Sequence, residues 1–556
     1  MSSKSFDPHP GVTSKFADWW VFYQEAIVKH NFSSVIKKVK VNDLFPSNTK
    51  KPEENSSPGT RNEGTSDNIR SNDDQLTELN SLPDGGIKWR RIGKILVSSK
   101  IIGKGSNGTI IYEGQYDKRP AAAVKRLLRN YHQVAYKEID KLIASDWAEN
   151  IVRYYGVEQD DDFVYLALEH CTCSLDDLIR ALSDSSNNEF LDDQASMDDY
   201  KIKLDYVRDI MQDVNLWSAD NYPSPQLLKL MRDVVLGLNQ LHDLRLIHRD
   251  LKPNNVLITK YPFGAKLSDM GMSTFLPDGR SSLGSHATSC GTKGWRAPEQ
   301  ILHSECRKQA MDLFSLGCVL FFCITGGQHP FGANRKREDN IAQGNLDLFL
   351  VNDMPEAYHL LSCLLSHEPE SRPKASEVLR HPFFWSSEMR LDFFHDVSDK
   401  IKAEEDEKRQ KELEDEKPKK NRKMRNKKKK LADEKRKNKL EDEPNFPKVV
   451  EDTAPLIFKG TWTKKIHPNI MGDLERFGTY DGTRVKSLLR AVRNKVNHRR
   501  EVTEEVEGIH GRYPDGLDAY FAEKFPRLLI ELYKVAYEFC KNDTDLGKYF
   551  LFGELK

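Results

Sequence analysis

An α+β chain follows from three observations. Short strand-type runs crowd together from about residue 90: Ile95-Leu96-Val97, Thr109-Ile110-Ile111-Tyr112 and Ala121-Ala122-Ala123-Val124, with Gly and polar turns between them. Helical periodicity takes over at about 225 and continues to about 385. A second helical segment covers 455–556. Strands first and helices after is the α+β order.

The 556 residues have room for two to four domains. Charged residues make up 31% and hydrophobic ones 38%, which fits a folded protein carrying some charged, poorly ordered sequence. Lys plus Arg and Asp plus Glu both number 85, so bulk charge neither favours nor opposes a nucleic-acid partner. The eight cysteines show no CxxC pairing, the usage of a reducing compartment. The apolar run Trp19-Trp20-Val21-Phe22-Tyr23 is far short of the roughly 20 residues a spanning helix needs. It also lacks the form of a secretory signal. A cytoplasmic location without a membrane segment is therefore expected.

Three stretches break the pattern. Residues 1–90 are expected to be partly disordered, since 45–86 are rich in Ser, Asn, Asp, Pro and Gly. The polar segment 181–222 reads as a surface insertion with one short helix near Tyr200–Val214. A charged insertion covers about 401–450, starting as a helix-former (Glu404-Glu405-Asp406-Glu407-Lys408-Arg409) and turning strongly basic from Lys417 to Lys430. The expected domains are thus 91–385 and 386–556.

Between 100 and 300, four signatures occur in order, each with its own physical task. Gly103-Lys104-Gly105-Ser106-Asn107-Gly108 is a GxGxxG loop whose Gly103, Gly105 and Gly108 let main-chain N–H groups approach phosphate oxygens. A ligand-free glycine hairpin would read the same. Ala123-Val124-Lys125 ends a strand with a lysine suited to the α- and β-phosphates, and Glu138 is its expected ion-pair partner. His248-Arg249-Asp250-Leu251-Lys252-Pro253-Asn254-Asn255 is a complete phosphotransfer loop. In it Asp250 takes the substrate hydroxyl proton, Lys252 neutralises the γ-phosphate and Asn255 holds magnesium. Asp269-Met270-Gly271 stands where protein kinases carry Asp-Phe-Gly, with Asp269 a second magnesium ligand, and Ala297-Pro298-Glu299 closes the segment. Methionine is apolar and adaptable enough to fill the slot of the missing phenylalanine. A bilobal Ser/Thr protein kinase fold using ATP or ADP and Mg2+ is expected. Ser281, Ser282, Ser285, Thr288 and Ser289 are candidate autophosphorylation sites, or simply polar loop residues.

A kinase domain normally ends near His381-Pro382-Phe383-Phe384, yet this chain continues. Taken as a helix, Arg484–His498 gathers Val485, Leu488, Leu489, Val492 and Val496 on one face. Arg490, Arg493, Asn494, Asn497 and His498 fall on a neighbouring one. A guanidinium can fork onto a phosphate and an imidazole can move protons near neutral pH. By periodicity alone, a solvated basic face is the favoured account of the pattern.

The runs Phe477-Gly478-Thr479-Tyr480-Asp481-Gly482-Thr483-Arg484-Val485, Leu488-Leu489-Arg490-Ala491-Val492-Arg493-Asn494-Lys495 and Tyr513-Pro514-Asp515-Gly516-Leu517 resemble an all-α kinase-extension nuclease domain. It is the one carried by the inositol-requiring kinase/endoribonucleases, the unfolded-protein-response sensors, and by the more distant ribonuclease L. Gly291-Thr292-Lys293-Gly294-Trp295 and His381-Pro382-Phe383-Phe384-Trp385 resemble the sensor group more. The resemblance covers about 95–400 and 450–556.

It implies an endoribonuclease that needs no cofactor and leaves a 2′,3′-cyclic phosphate on stem-loop RNA. Tyr480, Arg493, Asn494 and His498 fall on the family's catalytic positions; Glu169 and Cys171 join the nucleotide-binding set. Relatives have a histidine before the catalytic one, where this chain has Asn497, which bears on substrate preference. The family's lumenal sensing domain and membrane helix are not seen, nor are ankyrin repeats. Input is expected from nucleotide, from a protein adaptor or from the N-terminal region, with a homodimer or higher oligomer assembling the nuclease. The Lys417–Lys430 stretch reads as a solvated insertion, as an RNA-attracting arm or as a nuclear-import patch. Two further readings stand beside this one: a kinase whose extension only dimerises, and a nucleotide-sensing scaffold with a silent kinase.

Overall fold

The structure is a computed structural model that describes residues 88–104, 109–117, 119–129, 132–183, 194–275, 291–302, 309–416 and 445–550. Gly105, Gly108, the serines and threonine of 281–289 and the Lys417–Lys430 stretch lie outside the described residues.

The N-terminal unit opens with an antiparallel six-stranded sheet in the order β1-β2-β3-β4-β6-β5. Its strands are β1 (Trp89–Ile92), β2 (Ile95–Lys104), β3 (Ile110–Tyr116), β4 (Arg119–Leu128), β5 (Tyr154–Gln159) and β6 (Phe163–Glu169). Apolar residues pack on both of its faces: Ile95 and Val124 are fully buried in one cluster, Val164 and Leu166 in another together with Ile139. Register lines up the residues that matter: Gly103 on β2 faces Ile111 on β3, which faces Lys125 on β4. The helix His132–Ala144 supplies Glu138, which is almost fully buried.

Below the sheet lies a helical lobe built around Ala310–Ile324, a helix apolar on all sides and buried along its length, as a central core helix must be. The helix Pro225–Asp243 packs beside it, capped at its start by the Ser224 hydroxyl. The described part of the polar segment 181–222 is docked rather than loose. Its helix runs Gln194–Ile210, starting earlier than the pattern suggests. Leu204, Val207 and Met211 are buried, and Lys203 reaches Asp177 at 2.8 Å.

Among the described residues the C-terminal unit contains helices and no strands. It begins with the 30-residue helix Ser387–Glu416, which runs unbroken past residue 401, where the sequence suggested a separate insertion. Its first half buries Leu391, Phe393, Phe394, Val397 and Ile401. It packs along Val485–Asn497, closed in by the helices Phe446–Asp452, Pro468–Glu475, Asp515–Lys524 and Leu528–Cys540. Among the described residues, no helix is long and apolar enough to cross a membrane.

The two units meet at a ring cluster. His359 and His381 are 2.9 Å apart, Nδ1 to Nε2, and both edge against Tyr533 of the C-terminal unit. His381 Nδ1 accepts from the Phe383 N–H at 3.2 Å, so its Nε2 carries the proton and donates to His359. Burial, reinforced by Lys534 and opposed by Glu531, lowers His359 to about 4 from the ordinary 6.5. Burial and then His359 push His381 well below that value too. Groups held neutral by folding bind protons more readily once unfolded, so stability is lost as pH falls from 6.5 towards 4. Calorimetric unfolding across that window should show a falling midpoint, and His359→Gln should flatten the slope.

Candidate functional site

Two clusters of chemistry-bearing side chains form, one in each unit. In the first, Lys125 Nζ lies 2.8 Å and 3.0 Å from the two Glu138 oxygens and 3.0 Å from Asp269 Oδ1. Burial alone would lower the lysine. Glu138 and then Asp269 outweigh it and hold the ammonium above its ordinary value. The same lysine keeps the Asp269 carboxyl below the usual carboxylate range. Asp269 sits in the left-handed region at φ 59°, a conformation that a short polar side chain tolerates. Met270 beside it is fully buried, with the Ser273 hydroxyl 3.4 Å from its sulfur, and its carbonyl accepts from Lys141 Nζ at 2.8 Å. Methionine thus fills the apolar slot and ties the segment to the Glu138 helix.

Asp250 is bonded on both oxygens. Oδ2 accepts from Lys252 Nζ at 2.9 Å and Asn255 Nδ2 at 3.0 Å. Oδ1 accepts from the Thr292 N–H at 2.8 Å and the Thr292 hydroxyl at 2.6 Å. Thr292 has no role in the sequence reading; its signal was its place in Gly291-Thr292-Lys293-Gly294-Trp295. The loop itself hangs from buried Asp312, which accepts from the His248 and Arg249 N–H groups at 2.8 Å each. Since Asn255 spends its amide nitrogen on Asp250, its amide oxygen is the atom that could ligate a metal. A carboxylate and an amide oxygen make a hard-oxygen set that, completed by phosphate oxygens, fits magnesium.

The other nucleotide-set residues are placed differently. Gly103 ends β2 beside the Lys125 row. The Glu169 carboxylate is engaged by Lys266 at 3.1 Å and by the Arg153 N–H at 3.2 Å, and its own N–H donates to the Arg153 carbonyl at 2.9 Å, leaving its carbonyl as the part able to meet a nucleotide. Cys171 is half-buried, and burial pushes its thiol up to about 12, so it is not a reactive thiolate.

The second cluster is organised by Val485–Asn497. The apolar stripe of this helix is buried and its polar stripe is turned outward. Asn494 Nδ2 donates to the Tyr480 hydroxyl at 2.8 Å, and the Arg490 guanidinium lies over the Tyr480 ring, 4.8 Å from its centroid. Arg490 also donates to the Thr479 carbonyl. His498 caps the helix one turn beyond Asn494, so the two share a face. Its ring stacks on Phe477 at 3.9 Å, and Nδ1 lies 3.0 Å from Glu501. Neither Phe477 nor Glu501 was singled out for a role beforehand; Glu501 follows His498 by three residues, the one hint available. Arg493 is not drawn to Tyr480: its guanidinium bonds Asp399, 2.6 Å away on the Ser387–Glu416 helix. Asn497 is exposed. Lys495, by contrast, is buried against Asp473.

The loop bearing Tyr480 is pinned from below. Fully buried Trp462 donates from Nε1 to the Asp481 carbonyl at 3.0 Å and presents its ring edge to Tyr480. A side chain at Gly482 would collide with Thr461. Trp462→Ala removes this support and should destabilise the C-terminal unit by about 3–5 kcal/mol, measurable by chemical denaturation.

Two family models match the chain in succession. A protein kinase domain model matches residues 96–384 and a Ribonuclease 2-5A model matches 427–550. The chain is 45% identical to serine/threonine-protein kinase/endoribonuclease IRE1a of Arabidopsis thaliana, over 85% of this chain and 53% of that protein. It is 42% identical to IRE1b of the same plant, over 85% of this chain and 50% of that one. It therefore spans about half the length of these two relatives. A shorter Arabidopsis thaliana protein, named as an inactive IRE1-like serine/threonine-protein kinase/endoribonuclease, is 33% identical over 82% of this chain and 78% of its own length. With both domain models matched in succession and most of that relative's length covered, the chain belongs to the IRE1 family of serine/threonine-protein kinase/endoribonucleases.

Proposed function

We propose that this chain is a Ser/Thr protein kinase and an endoribonuclease in one, with nucleotide in the first unit switching on RNA cleavage by the second. The observation that carries the reading is the presence of both clusters in one chain, each with its proton-moving groups hydrogen-bonded into place.

In the kinase cluster, Lys125 is fixed by Glu138 to meet the α- and β-phosphates. Asp269 and the Asn255 oxygen would hold magnesium, which when bound shields phosphate charge. Asp250 accepts the acceptor-hydroxyl proton, and Lys252 beside it offsets negative charge on the transferred group. The Gly103 end of β2 and the main chain at Glu169 and Cys171 border the nucleotide.

In the nuclease cluster, Tyr480 and His498 act as the acid–base pair. One takes the proton of the RNA 2′-hydroxyl as its oxygen attacks the adjacent phosphorus; the other returns a proton to the departing 5′-oxygen. A 2′,3′-cyclic phosphate and a 5′-hydroxyl result, with no metal in the scheme. Asn494 orients Tyr480, and Glu501 holds the His498 tautomer with Nε2 free. Arg493 is the phosphate clamp, and reaching substrate requires it to leave Asp399. Single-stranded loops of stem-loop RNA expose the base edges such a site reads. A back-to-back dimer, in unfolded-protein or related stress signalling on the cytosolic side, completes the reading.

The test is cleavage of a stem-loop RNA by the purified chain with and without ADP. Stimulated cleavage leaving cyclic phosphate ends is expected. Nucleotide binding with no cleavage under any condition would instead support an extension that only dimerises.

A further inference from the structure

A cavity of about 470 Å³ opens beside the phosphotransfer loop, and Thr292, the residue bonded to Asp250, is part of its wall. The floor is aromatic: Trp295 and Phe322 meet edge to face, and His329 stands against Trp295 at 4.9 Å. Basic groups surround it. Among the described residues Arg180, Lys201, Lys293 and Arg337 all line the cavity, against the single carboxylate of Asp176.

The charges do not balance. Asp176 is matched by Arg180 at 3.0 Å. Arg337 is more than nine-tenths buried, yet among the described residues it has no ion-pair partner. Its Nε donates to the Gly332 carbonyl at 3.2 Å, and its guanidinium lies 5.9 Å from the Trp295 centroid. Burial lowers Arg337 to about 10; Cys318 opposes that shift, and Arg180 adds to it by like-charge repulsion. Lys293 is exposed, and among the described residues Lys201 reaches only Asp198, at 4.0 Å. A buried guanidinium without a counter-ion is costly, and here it borders a space large enough for a charged side chain.

We propose that this pocket receives the phosphoryl group of a peptide substrate already phosphorylated close in sequence to its acceptor hydroxyl. Arg337 forks onto the phosphate from below, while Lys201 and Lys293 close on it from the rim. A dianion suits a wall where, among the described residues, Arg337 and Lys293 have no ion pair and Lys201 has only the long contact to Asp198 better than a lone carboxylate does. Continuity through Thr292 makes the occupant part of the same peptide that offers its hydroxyl to Asp250. The chain would then prefer sites next to one already modified, so that one phosphorylation promotes the next. This inference rests on the kinase reading.

The test uses the full chain and fluorescent peptides with one threonine acceptor in a neutral background. They carry phosphoserine, Glu or Ser at each position within four residues of the acceptor. Binding is followed by anisotropy and phosphotransfer by label incorporation. At one position the phosphoserine peptide should bind at least tenfold tighter than the Ser peptide, with Glu between them, and Arg337→Gln should erase the difference. Because Arg337 is buried, Lys201→Glu and Lys293→Glu at the exposed rim provide the same test in a chain whose core is untouched. Equal binding of all three peptides at every position overturns the inference, as does a preference that survives both rim variants. Phosphotransfer without preference removes the pocket and leaves the kinase. Preferential binding with no transfer to any peptide removes the kinase reading and leaves the pocket.

Discussion

His498→Ala is expected to reduce RNA cleavage by about 10³-fold while nucleotide binding and autophosphorylation persist, a general acid–base group being worth about 10²–10⁴-fold. The effect should fall on kcat, because the imidazole is engaged by Glu501 and Phe477 and its truncation leaves the buried stripe of Val485–Asn497 in place. Glu501→Gln should move the pH dependence of cleavage and cost far less rate, as expected of a group acting through His498. A His498→Ala chain cleaving at the wild-type rate would remove His498 from the mechanism, leaving Tyr480 with Asn494 and the arginines to account for any activity.

The apolar half of this site was legible in the sequence. Val485, Leu488, Leu489, Val492 and Val496 recur at helical spacing, and all five are buried. Spacing could not show what the polar stripe does. Arg490 and Arg493 look equivalent three residues apart, yet one covers Tyr480 and the other bonds Asp399, nearly a hundred residues earlier in the chain. That difference depends on how Ser387–Glu416 lies across the nuclease helix, a tertiary fact without a local signature. The sheet shows the same division. The strands from 95 to 124 announce themselves through Gly and polar turns, whereas β5 and β6 do not. Phe163-Val164-Tyr165-Leu166-Ala167-Leu168 is a short continuous apolar run, which periodicity cannot assign to strand or buried helix.

Polar pairings over long separations were legible when chemistry demanded them. Lys125 and Glu138 were matched because a phosphate-facing lysine needs a fixed counter-ion, and they are 2.8 Å apart. Thr292 was passed over because a hydroxyl carries no charge to balance, although it makes two of the four contacts on the Asp250 carboxylate oxygens. Ion pairing is inferable from sequence order plus mechanism; a hydroxyl donor is found only once the loops are seen to converge.

Asp250→Asn should lower phosphotransfer by about 10³-fold, and its effect on RNA cleavage separates two forms of coupling. The substitution keeps the shape of the side chain while removing its charge. Lys252 and Thr292 Oγ1, at 2.9 Å and 2.6 Å, lose an ionised acceptor, whereas Lys125, Glu138 and Asp269 are untouched, so nucleotide should still bind. If occupancy alone switches the nuclease, ADP will stimulate stem-loop cleavage by Asp250→Asn as strongly as in the wild type. If phosphorylation is the switch, cleavage falls together with phosphotransfer, and prior phosphorylation in trans restores it. The arrangement of the junction favours occupancy. His381, Trp385 and Tyr533 form a continuous aromatic contact between the units, so a shift of the kinase lobe on binding nucleotide has a packed route into the nuclease core. The decisive reading is the ratio of ADP-stimulated to basal cleavage in Asp250→Asn: a value equal to that of the wild type assigns the switch to occupancy, and a value of one assigns it to phosphate transfer.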